Sequence, residues 1–337
     1  MTADLEKWLA VAERLWGRSD PWVSLVLFLA GSALMIWRLG VLEGRGFEGT
    51  VLGTLIMPYC SGVSNLVFAY VMGRSGGNGS LVLENCLVNN VTNMTLLLGF
   101  PALLWTLDLF PGKKHPKRQA SRRKDHRLNR LSLLLTIIAM LFFTGVTWAL
   151  SRDGVLDFSD GLVLVAVFLF WQVFHVFDVL KTNLQRNRAM PVSMTLDLAS
   201  ILAGGGAVYF SVERLVAWVS ASGKGLLITD NLGWLSGLLM VLPNAMLAIW
   251  YARAGRADVV YSSQVGDGHI CIPMCIGLFA LFTPIRIPAA FLPGVWLIIG
   301  AGVIHFGFLA IVGRLPRWMG ALLTGAYVFF LYKGIIT

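Results

Sequence analysis

The sequence predicts an all-α polytopic membrane protein, ten transmembrane helices arranged as two inverted five-helix repeats, and three observations carry that expectation. Hydrophobic residues make up 56% of the chain and charged residues only 13%, with a mean hydropathy of +0.72, whereas soluble domains hold about 45–50% apolar and about 25% charged residues. Apolar runs of about 20 residues, the length a membrane-spanning helix needs, follow one another along nearly the whole chain and leave no room for a separate catalytic domain. A motif in the first half recurs in the second.

Over residues 1–20, Leu5, Trp8, Leu9, Ala12, Leu15 and Trp16 recur at helical spacing opposite Glu6, Glu13 and Arg14, which predicts a helix lying in the membrane interface. The first repeat, 21–180, holds spans near 21–42, 49–73, 81–106, 131–150 and 159–180. A cytoplasmic linker is expected at 181–192. The second repeat, 193–337, holds spans near 193–213, 231–252, 259–283, 288–312 and 316–336. Helices rather than barrel strands are expected, because runs such as Leu131 to Phe143 are apolar on every side, while barrel strands alternate. Pro58 with Gly62 predicts an interruption of the second span and Pro243 one of the seventh, since proline lacks an N–H and frees a carbonyl one turn back. No cleaved signal peptide is expected, because mostly polar residues without a basic n-region precede the first span.

Lys and Arg mark the cytoplasmic side of a membrane protein. With the N-terminus outside, eighteen of the 27 fall in inner loops, nine of them between Lys113 and Arg130. Asp153, Asp157 and Asp160 fall together in an outer loop. Both termini are therefore expected outside the cytoplasm, in a plasma membrane of the bacterial inner-membrane kind. The net charge of +9 is topological: nothing aromatic interleaves the basic run to stack bases, so no nucleic-acid partner is expected, and contact with anionic lipid is. Cys60, Cys86, Cys271 and Cys275 all lie inside spans without CxxC spacing. That points to buried free thiols rather than a disulfide framework.

The repeat is explicit in the residues. SGVSNLVFAYVMGRSG, beginning at Ser61, aligns with MVLPNAMLAIWYARAG, beginning at Met240, so that Asn65, Ala69, Arg74 and Gly76 match Asn244, Ala248, Arg253 and Gly255. GFPAL at Gly99 matches GLFAL at Gly277, and Gly161 with Phe168 matches Gly320 with Tyr327. Five spans per half, an odd number, require opposite orientations, the arrangement of many secondary transporters.

VLGTLIMPYCSGVSN (51–65) and LMVLPN (239–244) resemble the segments that carry GTSLPE in the sodium/calcium exchanger superfamily of cation antiporters. LENCLVNNVTN (83–93) and SSQVGDGHIC (262–271) are similar to its GNxxGSNxxN helices. The resemblance covers nearly the whole chain. It implies a midplane cation site, alternating access and an inorganic cation as cargo (Na⁺, K⁺, H⁺ or Ca²⁺), with no cofactor.

The motif glutamates of that family stand here as Asn65 and Asn244, which offer carbonyl oxygens without charge. Ser61 and Gly62 stand for its Thr-Ser in the first half, and Met240 with Val241 in the second. Asn85, Asn89 and Asn93 form one stripe on the third span; Ser263, Asp267, Cys271 and Cys275 form another on the eighth. An ionisable residue at depth is a site hypothesis by default, which singles out Asp267. The candidate metal ligands are thus Ser61, Asn65, Glu84, Asn89, Asn93, Asn244, Asp267 and Cys271. Glu84 is placed near the outer end of that cavity. His269, His305 and the pair His175 and Asp178 read as structural or interfacial, as does Asp197.

Altogether the sequence predicts a secondary active cation antiporter that does not carry out ordinary Ca²⁺ exchange. The alternative is a transport-inactive relative serving as a sensor or as a subunit of a complex with protein partners not identifiable from sequence. No enzyme is expected, since neither a nucleophile–base constellation nor an HExxH-like motif occurs.

Overall fold

The computed structural model describes residues 21–44, 57–109, 119–184, 192–222 and 231–336. The predicted interfacial helix at 1–20 and most of the linker lie outside them. Lipid offers the backbone no hydrogen-bond partner, so each apolar run closes its own bonds as a helix. The first half comprises α1 (Pro21–Gly44), α2 (Met57–Arg74) and α3 (Gly79–Val91), the last continuing through a π-helical stretch, Thr92–Leu97, into α4 (Leu98–Trp105). It ends with α5 (Gln119–Leu150) and α6 (Phe158–Leu184). The second half comprises α7 (Val192–Ser222), α8 (Leu232–Met240) with α9 (Leu242–Arg253), and α10 (Ala257–His269), which continues through a π-helical stretch, Ile270–Cys275, into α11 (Ile276–Ala280). It ends with α12 (Phe291–Ile311) and α13 (Arg317–Ile336). Counted as through-going rods, the described residues make ten spans in two sets of five, six of them long and apolar enough to cross a membrane on length and composition alone.

The halves match in detail. Each carries its π-helical stretch at the same place in its third member, and short strands tie the ends. β1 (Leu107–Asp108) follows the third span and pairs antiparallel with β4 (Arg314–Leu315), which precedes the tenth. β2 (Val155–Leu156) precedes the fifth span and pairs with β3 (Ile285–Arg286), which follows the eighth. The two ribbons therefore lie at opposite ends of the bundle, as an inverted repeat requires. Glycine crossings repeat the relation: a Cβ on Gly99 would lie 3.0 Å from the Gly320 carbonyl oxygen, and one on Gly277 would lie 3.0 Å from that of Gly161. Small residues at such crossings let helix backbones approach closely in a membrane.

Burial sorts the spans into inner and outer. The most apolar stretch of the third span is 78% buried, whereas that of the first is 28% buried. α1 and α7 pack side by side on the periphery, joined by Arg38 Nη1 to Asp197 Oδ1 at 3.3 Å. Asp197 is 1% exposed, so it is an interhelical ion-pair residue and not the interfacial one that its position near a span end suggested.

Three boundaries differ from the hydropathy reading. α5 begins at Gln119 rather than near 131, and α7 runs to Ser222 rather than 213; hydropathy reports where lipid ends, and a helix continues into the polar layer where charged residues sustain it. The described part of the second span holds Pro58 in its first turn and runs unbroken through Gly62, because proline is tolerated where the N–H needs no intrahelical acceptor. Among the described residues of these two spans, the break falls in the seventh, at Val241, with Pro243 in the first turn of α9.

Gly320→Ala tests the crossing. Its Cβ would meet main-chain Leu103 N at 2.7 Å, so a loss of about 1–3 kcal/mol is expected, read as a lowered melting temperature in detergent. Gly325→Ala, where nothing lies within 4 Å, should leave the melting temperature unchanged.

Candidate functional site

At the centre of the bundle the third, seventh and eighth spans bring their polar residues to one carboxylate. Asp267 is fully buried. Its Oδ2 accepts from Asn93 Nδ2 at 2.7 Å and from Asn244 Nδ2 at 3.1 Å. Asn93 Nδ2 also donates to Asn89 Oδ1 at 2.8 Å, and Asn244 Nδ2 approaches Asn93 Oδ1 at 3.4 Å. Cys271, one turn beyond Asp267, donates from Sγ to the same Oδ2 at 3.7 Å. Two amides from opposite halves thus converge on one oxygen, and the donors named here are neutral. Hydrogen bonds to a carboxylate contribute about 1.5–3 kcal/mol but add no compensating charge.

The second span completes the surround. A Cβ on Gly62 would stand 3.1 Å from Asp267 Oδ1 and 3.2 Å from Ile270 Cγ2, so the missing side chain in α2 is what makes room for the carboxylate of α10. Asn65 lies three residues on, on the same face of α2, and is fully buried. Neither of its amide atoms has a hydrogen-bond partner, and the same holds for Asn244 Oδ1 and Asn89 Nδ2. Buried amides without partners are uncommon, and here they gather around one acid.

Five of the eight residues expected from the sequence are therefore linked by hydrogen bonds: Asn89, Asn93, Asn244, Asp267 and Cys271. Asn65 shares the Gly62 face that borders them. Ser61 lies in α2, but its side chain falls outside the described portion. Glu84 is half-buried and packs elsewhere, its Oε2 lying 2.7 Å from where a Cβ of Gly233 in α8 would be. It sits nine residues from Asn93, about 13 Å along the helix at 1.5 Å per residue. Asn85 meets the seventh span before its break, in α8, donating to Ser236 Oγ at 2.9 Å and approaching Met240 Sδ at 3.4 Å.

The two intramembrane histidines act as cross-links. His269 Nε2 donates to the Thr136 carbonyl at 2.8 Å while Nδ1 accepts from Trp171 Nε1 at 3.2 Å. His305 Nε2 donates at 2.8 Å to the carbonyl of Met94, inside the first π-helical stretch, and its Nδ1 takes the Tyr261 hydroxyl at 3.1 Å. Both rings hold one proton and have both nitrogens engaged, as structural histidines do. His175 and Asp178 have side chains outside the described portion.

Sequence reasoning missed Gln264. Its Nε2 donates to Ser263 Oγ at 2.7 Å and to the Asn244 carbonyl at 3.3 Å, which ties the eighth span to the restart of the broken seventh. Its place beside Ser263, inside a polar run of an otherwise apolar chain, was the available signal.

Ten spans in two inverted halves, with a broken seventh helix and a polar cluster at its restart, define an integral multi-pass membrane protein of inverted-repeat architecture. The family model described as sodium/calcium exchanger protein matches residues 22–177. The inner membrane protein YrbG of Escherichia coli (strain K12) is 25% identical over 271 residues, covering 74% of this chain and 76% of that protein. The sodium-calcium exchanger NCX_Mj soaked with 2.5 mM Na⁺ and 10 mM Sr²⁺ superposes with a TM-score of 0.65 at 17% identity, covering 92% of this chain and 96% of that one. Its form soaked with zero Na⁺ and Ca²⁺ gives 0.65 at 18% identity over the same shares. The first half of the chain thus matches the sodium/calcium exchanger family model, and the chain as a whole has the fold of NCX_Mj.

Gly62→Ala tests the fit around the carboxylate. The added methyl must push Asp267 Oδ1 or Ile270 aside, so the variant should fold with a penalty of about 1–3 kcal/mol. Any cation-dependent rise in melting temperature shown by the wild type should shrink. An unchanged cation response would show that Gly62 does not shape the site.

Proposed function

We propose that this chain is a secondary active cation antiporter whose midplane site is built on Asp267, with amide oxygens of Asn65, Asn89, Asn93 and Asn244 as neutral ligands. The observation that carries the reading is the fully buried Asp267 carboxylate held by amides from both halves. Ionisable groups at such depth are expensive and characteristically mark ion or proton pathways. One carboxylate balances one positive charge. With Asn at both motif positions the site lacks the pair of glutamates that would neutralise Ca²⁺, so Na⁺, K⁺ or H⁺ suits it better than ordinary Ca²⁺ exchange. Alternating access would rock one half against the other, with the break at Val241 and the two π-helical stretches as the places where helices yield. π-Bulges of this kind are frequent at functional sites.

An ion that binds only the folded chain raises its melting temperature with concentration. Purified protein is therefore to be screened against Na⁺, K⁺, Ca²⁺, Mn²⁺, Zn²⁺ and a pH series, with flux in proteoliposomes for any ion that responds. A saturable shift by one ion, abolished in Asp267→Asn together with flux, is the expected result. Wild-type transport by that variant would end the proposal. A flat thermal response with no flux would favour the transport-inactive alternative.

The same reading places both termini outside the cytoplasm, from the excess of Lys and Arg in the loops then facing inward. A single cysteine appended after Thr337 in a background with the four native cysteines replaced should react with a membrane-impermeant maleimide on intact cells. Labelling only after lysis would reverse the topology.

A further inference from the structure

One turn beyond Asp267, the eighth span carries a second side chain with ligand chemistry, the Cys271 thiol. Cys271 is fully buried and its Sγ lies 3.7 Å from Asp267 Oδ2. The thiol stands in the second half at the place that Asn93 holds in the first, three residues past an Asn90 or Gly268 counterpart in each repeat. Asn244, whose Nδ2 donates to the same carboxylate oxygen, keeps a buried Oδ1 without a partner. Asn65, one helical turn past the Gly62 that borders Asp267 Oδ1, is fully buried with neither amide atom partnered.

We propose that Asp267 and Cys271 together ligate a thiophilic cation, with amide oxygens of Asn65 and Asn244 as neutral ligands, so that Cys271 decides which cation class the site accepts. The proposal rests on the Asp267 site proposed above; a second anionic ligand extends its reach from a monovalent cation to a thiophilic one. A thiolate is a soft ligand and favours Cd²⁺, Zn²⁺ or Cu⁺ over the hard Ca²⁺ and Na⁺. Metal ligation needs the thiolate, so the balance is simple: the sulfur–metal bond forms, the S–H bond breaks, one proton leaves, and no electron changes hands. Carboxylate and thiolate then present two negative charges to a divalent ion, the number that Asn65 and Asn244 fail to supply.

The position of the other thiols argues for a transport site rather than a resident metal centre. Cys86 of α3 and Cys275 are free, fully buried thiols that form no disulfide with Cys271. Among the described residues no three His, Cys, Asp or Glu side chains form a metal-holding group. Two anionic ligands supplemented by neutral amide oxygens hold a cation more weakly than the Cys/His shell that retains structural zinc.

The test is a Cd²⁺ titration of the purified full chain, followed by the ultraviolet charge-transfer absorbance of the cadmium–thiolate bond. The wild type should show a saturable band equivalent to one thiolate per chain. The band should persist in a Cys86→Ser, Cys275→Ser double variant and disappear in Cys271→Ser, with Cys271→Ala as a second variant should the serine form fold poorly. In Asp267→Asn the apparent affinity should fall by about tenfold or more, since a lost anionic ligand costs at least as much as a lost outer-shell partner. A band that survives in Cys271→Ser, one that needs Cys86 or Cys275, or none at all overturns the proposal. The failures separate: an ion-dependent thermal shift that requires Asp267, without a cadmium band, removes only the thiol ligand. A cadmium band indifferent to Asp267→Asn removes the Asp267 site itself.

Discussion

A carboxylate placed at full burial among membrane-spanning helices loses the water that would stabilise its charge, and the surrounding protein must replace that water or supply a counter-ion. Asp267 imposes that requirement on the centre of this bundle. Asn93 and Asn244 donate to its Oδ2 from opposite halves, Asn89 holds Asn93 in place, and Gly62 gives its Oδ1 room. Remove the carboxylate and the amides lose the acceptor that orients them. The local architecture, a broken seventh span restarting beside Asn244 and π-helical turns following Asn89 and Asp267, brings these groups to one point.

The inverted repeat explains why the site lies where it does, while its departures from symmetry explain what it can hold. Equivalent helices cross at equivalent glycines and carry equivalent π-helical stretches. The side chains at the centre are unequal: Asn89 in the first half answers Asp267 in the second, and Asn93 answers Cys271. Among these central side chains the carboxylate and the thiol both belong to the eighth span. His269 and His305 reinforce the frame without entering the site, since both of their nitrogens are committed to neighbouring helices.

Much of this was legible in the sequence, for definite reasons. Ten spans could be read because lipid demands continuous apolar runs, and the duplication because Asn65 and Asn244 recur in matching surroundings. The stripes on the third and eighth spans could be read because fourfold spacing puts residues on one helical face. The ends of α5 and α7 could not, since hydropathy measures the membrane and not the helix. Neither could the π-helical stretches, in which one extra residue per turn leaves no compositional trace, nor the ion pair that buries Asp197. Glu84 shows the limit of angular reasoning: like Asn85 it meets α8, at Gly233, well away from the Asp267 cluster.

The placement of carboxylate and thiol on one span has a mechanical consequence under the proposed function. Two facing glutamates, one on each motif helix, would share a cation across the interface between halves, and separating the halves would loosen both. Here the carboxylate and the thiol one turn on belong to the eighth span, while the second and seventh spans would contribute only neutral amides. Exposure of the proposed site to either side would then depend on whether Asn65 and Asn244 approach or leave a charge that stays with the eighth span. Amide contacts are weaker than ionic ones and are remade at less cost. In such an arrangement the π-helical turn at Ile270–Cys275, which begins three residues past Asp267 and contains Cys271, would be the element best placed to let α11 move while α10 keeps its carboxylate at the centre.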